Sequence, residues 1–131
     1  MASILTEARF DGYATSLVTG AINPFFLIPS TINGISDNYV IDIDVMIISS
    51  YGSGSGDQLF TARFVGGKTN GTPTLRHNGT PGSGFGTSGL ITSIFQAITN
   101  PSTNWNLSFS HGNGPLVHKG IAKVTLFSYD N

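Results

Sequence analysis

The chain contains no cysteine. No disulfide or thiolate metal site can form, and no redox compartment can be read from it. Charge is nearly as scarce. Asp, Glu, Lys and Arg together make up 10% of the 131 residues, six basic against seven acidic. A nucleic-acid-binding protein needs a basic face to neutralise phosphates, so that class is excluded. The same balance argues against an acidic tail or a polybasic membrane anchor. The longest apolar runs, Phe25–Ile28 and Val45–Ile48, are four residues each, so no membrane insertion is expected. Residues 1–10 carry Glu7 and Arg9 and lack the apolar core of a signal peptide.

In place of charge the chain has 17 Gly, 15 Ser, 14 Thr and 10 Asn. These small, hydrogen-bonding residues favour turns and polar β-surfaces. Apolar residues make up 39%, with nine Phe, four Tyr and one Trp, too many for a disordered chain. This length and composition support one domain with one core. We read residues 1–131 as that domain, with 1–20 as a candidate N-terminal anchoring arm. A small domain without disulfides often gains stability by oligomerisation.

Period two is the dominant pattern. In Val40–Ile48, Ile41, Ile43, Val45 and Ile47 share one face, and Asp42, Asp44, Met46 and Ile48 the other. Phe60, Ala62 and Phe64 alternate in the same way within Asp57–Val65. The Gly/Ser-rich stretch 52–56 between these runs predicts a hairpin with a pliable tip. Trp105, Leu107 and Phe109 oppose Asn106, Ser108 and Ser110, and Ala122, Val124 and Leu126 oppose Ile121, Lys123, Thr125 and Phe127. Glu7–Tyr13 and Pro24–Ile28 are further strand candidates, the latter bracketed by prolines and so suited to an edge. Residues 90–99 repeat apolar side chains at helical spacing, yet are rich in Ile and Thr, and a strand is the favoured reading. Seven or eight short strands predict an all-β protein, a single antiparallel β-sandwich of jelly-roll type.

No motif for chemistry survives inspection. Gly84-Phe-Gly-Thr-Ser-Gly89 matches the dinucleotide pattern G-x-G-x-x-G, but no acidic residue occurs between Asp57 and Asp130 to hold a ribose. A plain glycine loop is the better reading, and no cofactor is expected. Asp42 and Asp44 leave one face of a strand and could serve Ca²⁺ or glycoside chemistry. A polar, solvent- or subunit-facing strand face explains them more simply. His77, His111 and His118 show no metal-ligand spacing and read as hydrogen-bonded turn residues, so no metal is expected. Gly52-Ser-Gly-Ser-Gly56 puts Gly where a nucleophile elbow needs Ser, and no catalytic residue is assigned. Asn70, Asn78 and Asn106 head formal glycosylation sequons. Trp105 reads as core and Tyr51 as an exposed loop aromatic.

The order of these features resembles bacteriophage virion-surface β-sandwich proteins, the fibre head domains and capsid decoration proteins. The resemblance rests on Ile22-Asn-Pro-Phe-Phe-Leu-Ile-Pro29 leading into Tyr39–Ile48, on Asp57–Phe64 after a Gly/Ser tip, and on the turn at 66–69. It continues through Thr74-Leu75, the Trp105 strand and Gly120–Phe127, covering roughly residues 20 to 131. Lys119–Val124 lacks the Trp that often opens the family's last strand.

The resemblance implies a non-enzymatic, homotrimeric protein on the virion surface. A one-domain chain beginning at Met1 fits a capsid decoration, or cement, protein that stabilises the assembled head. The alternative is a tail-fibre or head-fibre domain that binds a host glycan or protein. The expected partners are therefore other copies of the chain and the major capsid protein or another virion protein, or else a host receptor. The residues assigned to capsid contact are Ile4, Leu5, Arg9, Phe10 and Tyr13. Phe25, Phe26 and Phe127 are assigned to the trimer interface. Tyr51, Arg76, His77 and Phe85 would serve as receptor-loop residues.

Overall fold

The computed structural model of the chain describes residues 3–29, 38–51, 57–68, 74–77, 82–86, 91–100, 104–112 and 114–129. They form nine strands: β1 (Ser3–Ser16), β2 (Gly20–Pro29), β3 (Tyr39–Tyr51), β4 (Asp57–Lys68), β5 (Thr74–His77), β6 (Gly82–Gly86), β7 (Ile91–Asn100), β8 (Asn104–His111) and β9 (Leu116–Tyr129). Every pairing among them is antiparallel. The larger sheet runs β1-β9-β3-β4-β5, with β6 also on β4, and the smaller runs β2-β8-β7. The all-β expectation holds, and residues 91–100 are a strand.

Alternation in the sequence is converted directly into two faces of the larger sheet. Ile41, Ile43, Val45 and Ile47 of β3 are buried, as are Phe60, Ala62 and Phe64 of β4 and Ala122, Val124 and Leu126 of β9. The hairpin predicted around the Gly/Ser stretch has Ser50 opposite Asp57; residues 52–56 lie outside the described residues. From the smaller sheet, Phe25, Phe26, Ile28, Trp105, Leu107 and Phe109 join the same apolar cluster, so the two sheets enclose one core.

Phe25 and Phe26 are therefore not surface residues, as the trimer reading required. Phe25 is 8% and Phe26 2% exposed. Strict alternation would send neighbours to opposite faces, but the pairing of β2 with β8 slips between Ile22 and Phe26. An irregularity of this kind breaks the period and lets adjacent side chains enter one core. Their seat is made by two glycines. Gly12 of β1 and Gly120 of β9 are direct cross-strand neighbours. A Cβ on Gly12 would lie 2.5 Å from Phe25 Cε2. One on Gly120 would lie 2.9 Å from the same atom and 3.0 Å from Phe26 Cζ. The paired glycines form a notch, and the phenyl rings fill it. Phe25 also meets Phe26 and Phe109 edge-on, with centroids 4.7 and 4.9 Å apart.

Two further expectations change. The stretch read as an anchoring arm supplies β1, paired residue by residue with β9 from Ser3↔Tyr129 to Ser16↔Leu116. Its short alternation of Leu5, Glu7, Arg9, Asp11 and Tyr13 with Thr6, Ala8, Phe10 and Ala14 is that of a half-covered strand. The polar face of β8 is not open either. Asn106 is 8% and Ser108 1% exposed, on the middle strand of the smaller sheet, between β2 and β7. A glycan at Asn106 is incompatible with that burial.

The notch makes a direct test. Gly120→Ala places a methyl 2.9 Å from the Met46 carbonyl oxygen as well as against both rings. Overpacking of this kind is expected to cost about 1–3 kcal/mol, read as a lowered denaturant midpoint at unchanged m-value.

Candidate interaction face and buried histidine cluster

The outer face of the larger sheet carries most of the expected contact residues. Among the described residues the large apolar side chains at least 40% exposed are Leu5, Tyr13, Leu17, Val18, Leu27, Val40, Met46, Ile48 and Phe127. Six of these nine point outward from β1, β3 and β9, so the exposure is concentrated rather than scattered. Cross-strand pairing sorts them into two groups. Leu5, Phe127 and Val40 are successive neighbours at one end, beside an open groove of about 940 Å³ that also takes in Val65, Thr125 and Arg76. Tyr13, Met46 and Ile48 lie at the other end with Leu59 and Ile121, along a second groove of about 510 Å³.

Between the groups runs a charged band. Arg9, Lys123, Asp44 and Arg63 follow one another across four strands. The Arg63 guanidinium grips Asp42 with both arms, Nε to Oδ1 at 2.8 Å and Nη2 to Oδ2 at 2.5 Å. Its Nε is 3.7 Å from Asp44 Oδ1. The hydrogen bonds from Arg63, helped by its charge, hold the Asp42 carboxyl below the usual carboxylate range against an opposing effect of burial. The aspartate pair is thus organised around a cation of its own chain. Among the described residues no group of three or more His, Cys, Asp or Glu is placed to hold a metal ion.

The assigned contact residues divide accordingly. Leu5, Arg9 and Tyr13 point outward, whereas Phe10 packs against the core; the side chain of Ile4 lies outside the described residues. Of the trimer candidates Phe127 alone has surface to offer, at 40% exposure. The receptor candidates are not gathered. Tyr51 is half-buried at the end of β3, where a Cβ on Gly114 would come within 2.9 Å of its ring. Arg76 is exposed on β5 opposite Val65, and His77 follows it opposite Phe64. Phe85 on β6 pairs with Leu59. Six residues along β4 separate Val65 from Leu59, roughly 20 Å.

The second cluster was not legible as a unit in the sequence. His118 sits on β9, not in a turn, and is wholly buried. Its Nδ1 is 2.6 Å from Ser49 Oγ on β3 and its Nε2 3.0 Å from Ser16 Oγ on β1. In the neutral ring one nitrogen donates to its serine and the other accepts from its serine. Phe109 and His111 of β8 close the cluster from the opposite sheet, with ring centroids 5.0 and 5.4 Å from His118. His111, 4% exposed, shares a hydrogen bond between its Nδ1 and the Gly112 carbonyl at 3.0 Å. The signal was parity: Ser16, Ser49 and His118 all fall on the inward set of their strands. A Ser–His distance of 2.6 Å is that of a nucleophile and its base, but here the pair is sealed from solvent and the second partner is a serine, not a carboxylate. The arrangement acts as a structural hydrogen-bonded plug in the core.

No family model matches the chain, and no curated protein matches it. Among solved structures it is similar to the tailspike protein of Acinetobacter phage vB_ApiP_P1, at 12% identity and a TM-score of 0.37 over 88% of this chain and 22% of that one. It is also similar to the tailspike protein of Acinetobacter baumannii phage AM24, at 13% identity and a TM-score of 0.38 over 94% of this chain and 26% of that one. The chain thus spans about a quarter of each tailspike. At TM-scores this low neither likeness carries an argument about fold or function.

Burial, and secondarily the charge of His111, lower the His118 pKa from 6.5 to about 4. The unfolded chain therefore binds this proton more readily than the folded one. His118 costs no stability above pH 6.5, and stability is lost as the pH falls from there to about 4, by about 3 kcal/mol at most. Denaturant unfolding across that range is expected to show the loss, and His118→Gln should flatten it.

Proposed function

We propose that this chain is a non-enzymatic structural protein of a bacteriophage particle, a capsid decoration protein that works as a trimer and binds through the outer face of its larger sheet. The observation that carries the reading is the pair of exposed apolar groups on that face. Both lie along open grooves whose linings mix apolar with charged side chains, Asp42, Lys68 and Arg76 at one end and Arg9, Asp11 and Lys119 at the other, the mixed surface a protein partner covers. The phage setting and the three-fold assembly come from the sequence resemblance, and the outer face supplies what such an assembly would use. Leu5, Val40 and Phe127 form the contact between copies, and Tyr13, Met46, Ile48, Leu59 and Ile121 form the contact to the virion partner. The charged band between them orients the docking. Binding the assembled shell in preference to free subunits stabilises the shell by mass action. Several identical contacts per trimer make weak single contacts firm.

Outward substitutions test this without removing β1 from its sheet. Met46→Asp with Ile48→Asp should weaken binding to purified capsids roughly 30-fold or more at unchanged solution mass. Phe127→Asp should lower the solution mass threefold. Capsid binding unchanged by the first pair, or adsorption to host cells with no affinity for capsids, would replace the decoration reading.

A further inference from the structure

Among the described residues the free edges of the two sheets are not protected equally. An exposed edge presents unpaired N–H and C=O groups, and proteins blunt such edges with prolines, irregularities or shortness. On the smaller sheet, β2 carries Pro24 and Pro29 with a register slip between Ile22 and Phe26, and β7 slips twice against β8. On the larger sheet β5 is four residues long, and β6 is five with a slip of its own. The edge at β1 has none of these devices. It is fourteen residues long, contains no proline, and runs in unbroken register with β9. Its inward side chains are all charge-free, and Thr6, Ala8, Phe10 and Ala14 remain only half-buried, while their neighbours Leu126, Val124 and Ala122 on β9 are closed off.

We infer that the free edge of β1 pairs antiparallel with β1 of a second copy of this chain, centred on Phe10. Charge selects both the occupant and the register. Centred on Phe10, residues 4–16 pair with one another. Arg9 then faces Asp11 of the second copy and Asp11 faces its Arg9, giving reciprocal ion pairs. Glu7 faces Tyr13, Phe10 faces Phe10, and Ala8 faces Gly12. Opposite charges directly across a strand pair stabilise it, and like charges oppose it. A shift to Arg9 as centre sets Arg9 on Arg9 and Glu7 on Asp11. A shift to Asp11 sets Asp11 on Asp11. Centring on Ala8 recovers Glu7–Arg9 pairs but leaves Asp11 facing Leu5 and shortens the pairing to residues 3–13. The Phe10 register alone pairs most of the strand and matches both charges. In the single chain Arg9 and Asp11 bond along their own strand at 3.0 Å, with side chains 65% and 70% exposed, so both are available to a neighbour. The product is one continuous sheet across two copies.

This contact is separate from the three-fold one proposed above, and its test is a halving of the solution mass whether the larger species is a pair of chains or a pair of trimers. Light scattering on the full chain should show that species. Arg9→Asp alone and Asp11→Arg alone should each halve the mass, because each sets like charges opposite one another twice. Mixing the two single variants should restore the full mass, since both acidic positions of the first variant then face arginines of the second. The chain carrying both exchanges should restore it unaided. Ala8→Lys, an inward charge at an edge, should halve the mass while keeping cooperative unfolding. A wild-type mass of one chain or three, single variants that keep the wild-type mass, or a mixture that stays halved would each overturn the inference. Retention of three-fold assembly in Phe127→Asp, with the halving on Arg9→Asp kept, would instead count against the trimer contact.

Discussion

The seating of Phe25 and Phe26 in the Gly12–Gly120 notch is the contact on which the two-layer arrangement depends. Two sheets pack about 10 Å apart only if side chains from one find holes in the other. On this larger sheet the inward positions of β3, β4 and β9 are filled largely by Ile, Val, Phe and Leu. The hole is provided where two cross-strand residues have no side chain, and the rings enter it from an edge strand whose alternation is broken. The prolines that bracket this segment, the slip in its pairing and the two glycines from opposite ends of the chain serve one geometrical end.

This contact also marks where the sequence was opaque. Strands with a simple period were readable: Val40–Ile48, Asp57–Val65 and Gly120–Tyr129 each placed their inward residues correctly, because one face is buried and the period is two. Phe25-Phe26 was not, since an adjacent pair fits no alternating pattern and a register slip leaves no trace in composition. Nor did the polarity of Asn106 and Ser108 reveal their burial, since polar residues at alternate positions read as a solvent-facing side. The jelly-roll winding expected from the sequence is a narrower statement than the two sheets and strand order described above.

For the functional surface the position was reversed. Phe127 was placed outward by periodicity, and Leu5, Arg9 and Tyr13 were named as contacts of an N-terminal arm, but their assembly into one face required the neighbour order β1-β9-β3-β4, which pairs the two ends of the described chain. The histidine cluster needed the same knowledge. Ser16, Ser49, His111 and His118 come from four strands and two sheets, and only their inward parity was visible beforehand. One part of the core is therefore polar and pH-sensitive, and another is closed by Trp105 and Tyr39, with rings 6.1 Å apart.

The position of β9 has a consequence for how the chain reaches this fold. It is an inner strand of the larger sheet, flanked by β1 and β3, yet it is the last of the described strands in order. During synthesis β1 has no neighbour in its sheet, and β3 has only β4, until β9 has left the ribosome. Pairings as distant as Ser3 with Tyr129 close the largest loop among the described residues, and folds dominated by such contacts form slowly. In the interval two long strand edges stand open at once. With no apolar run longer than four residues, those edges present little contiguous apolar surface while they wait.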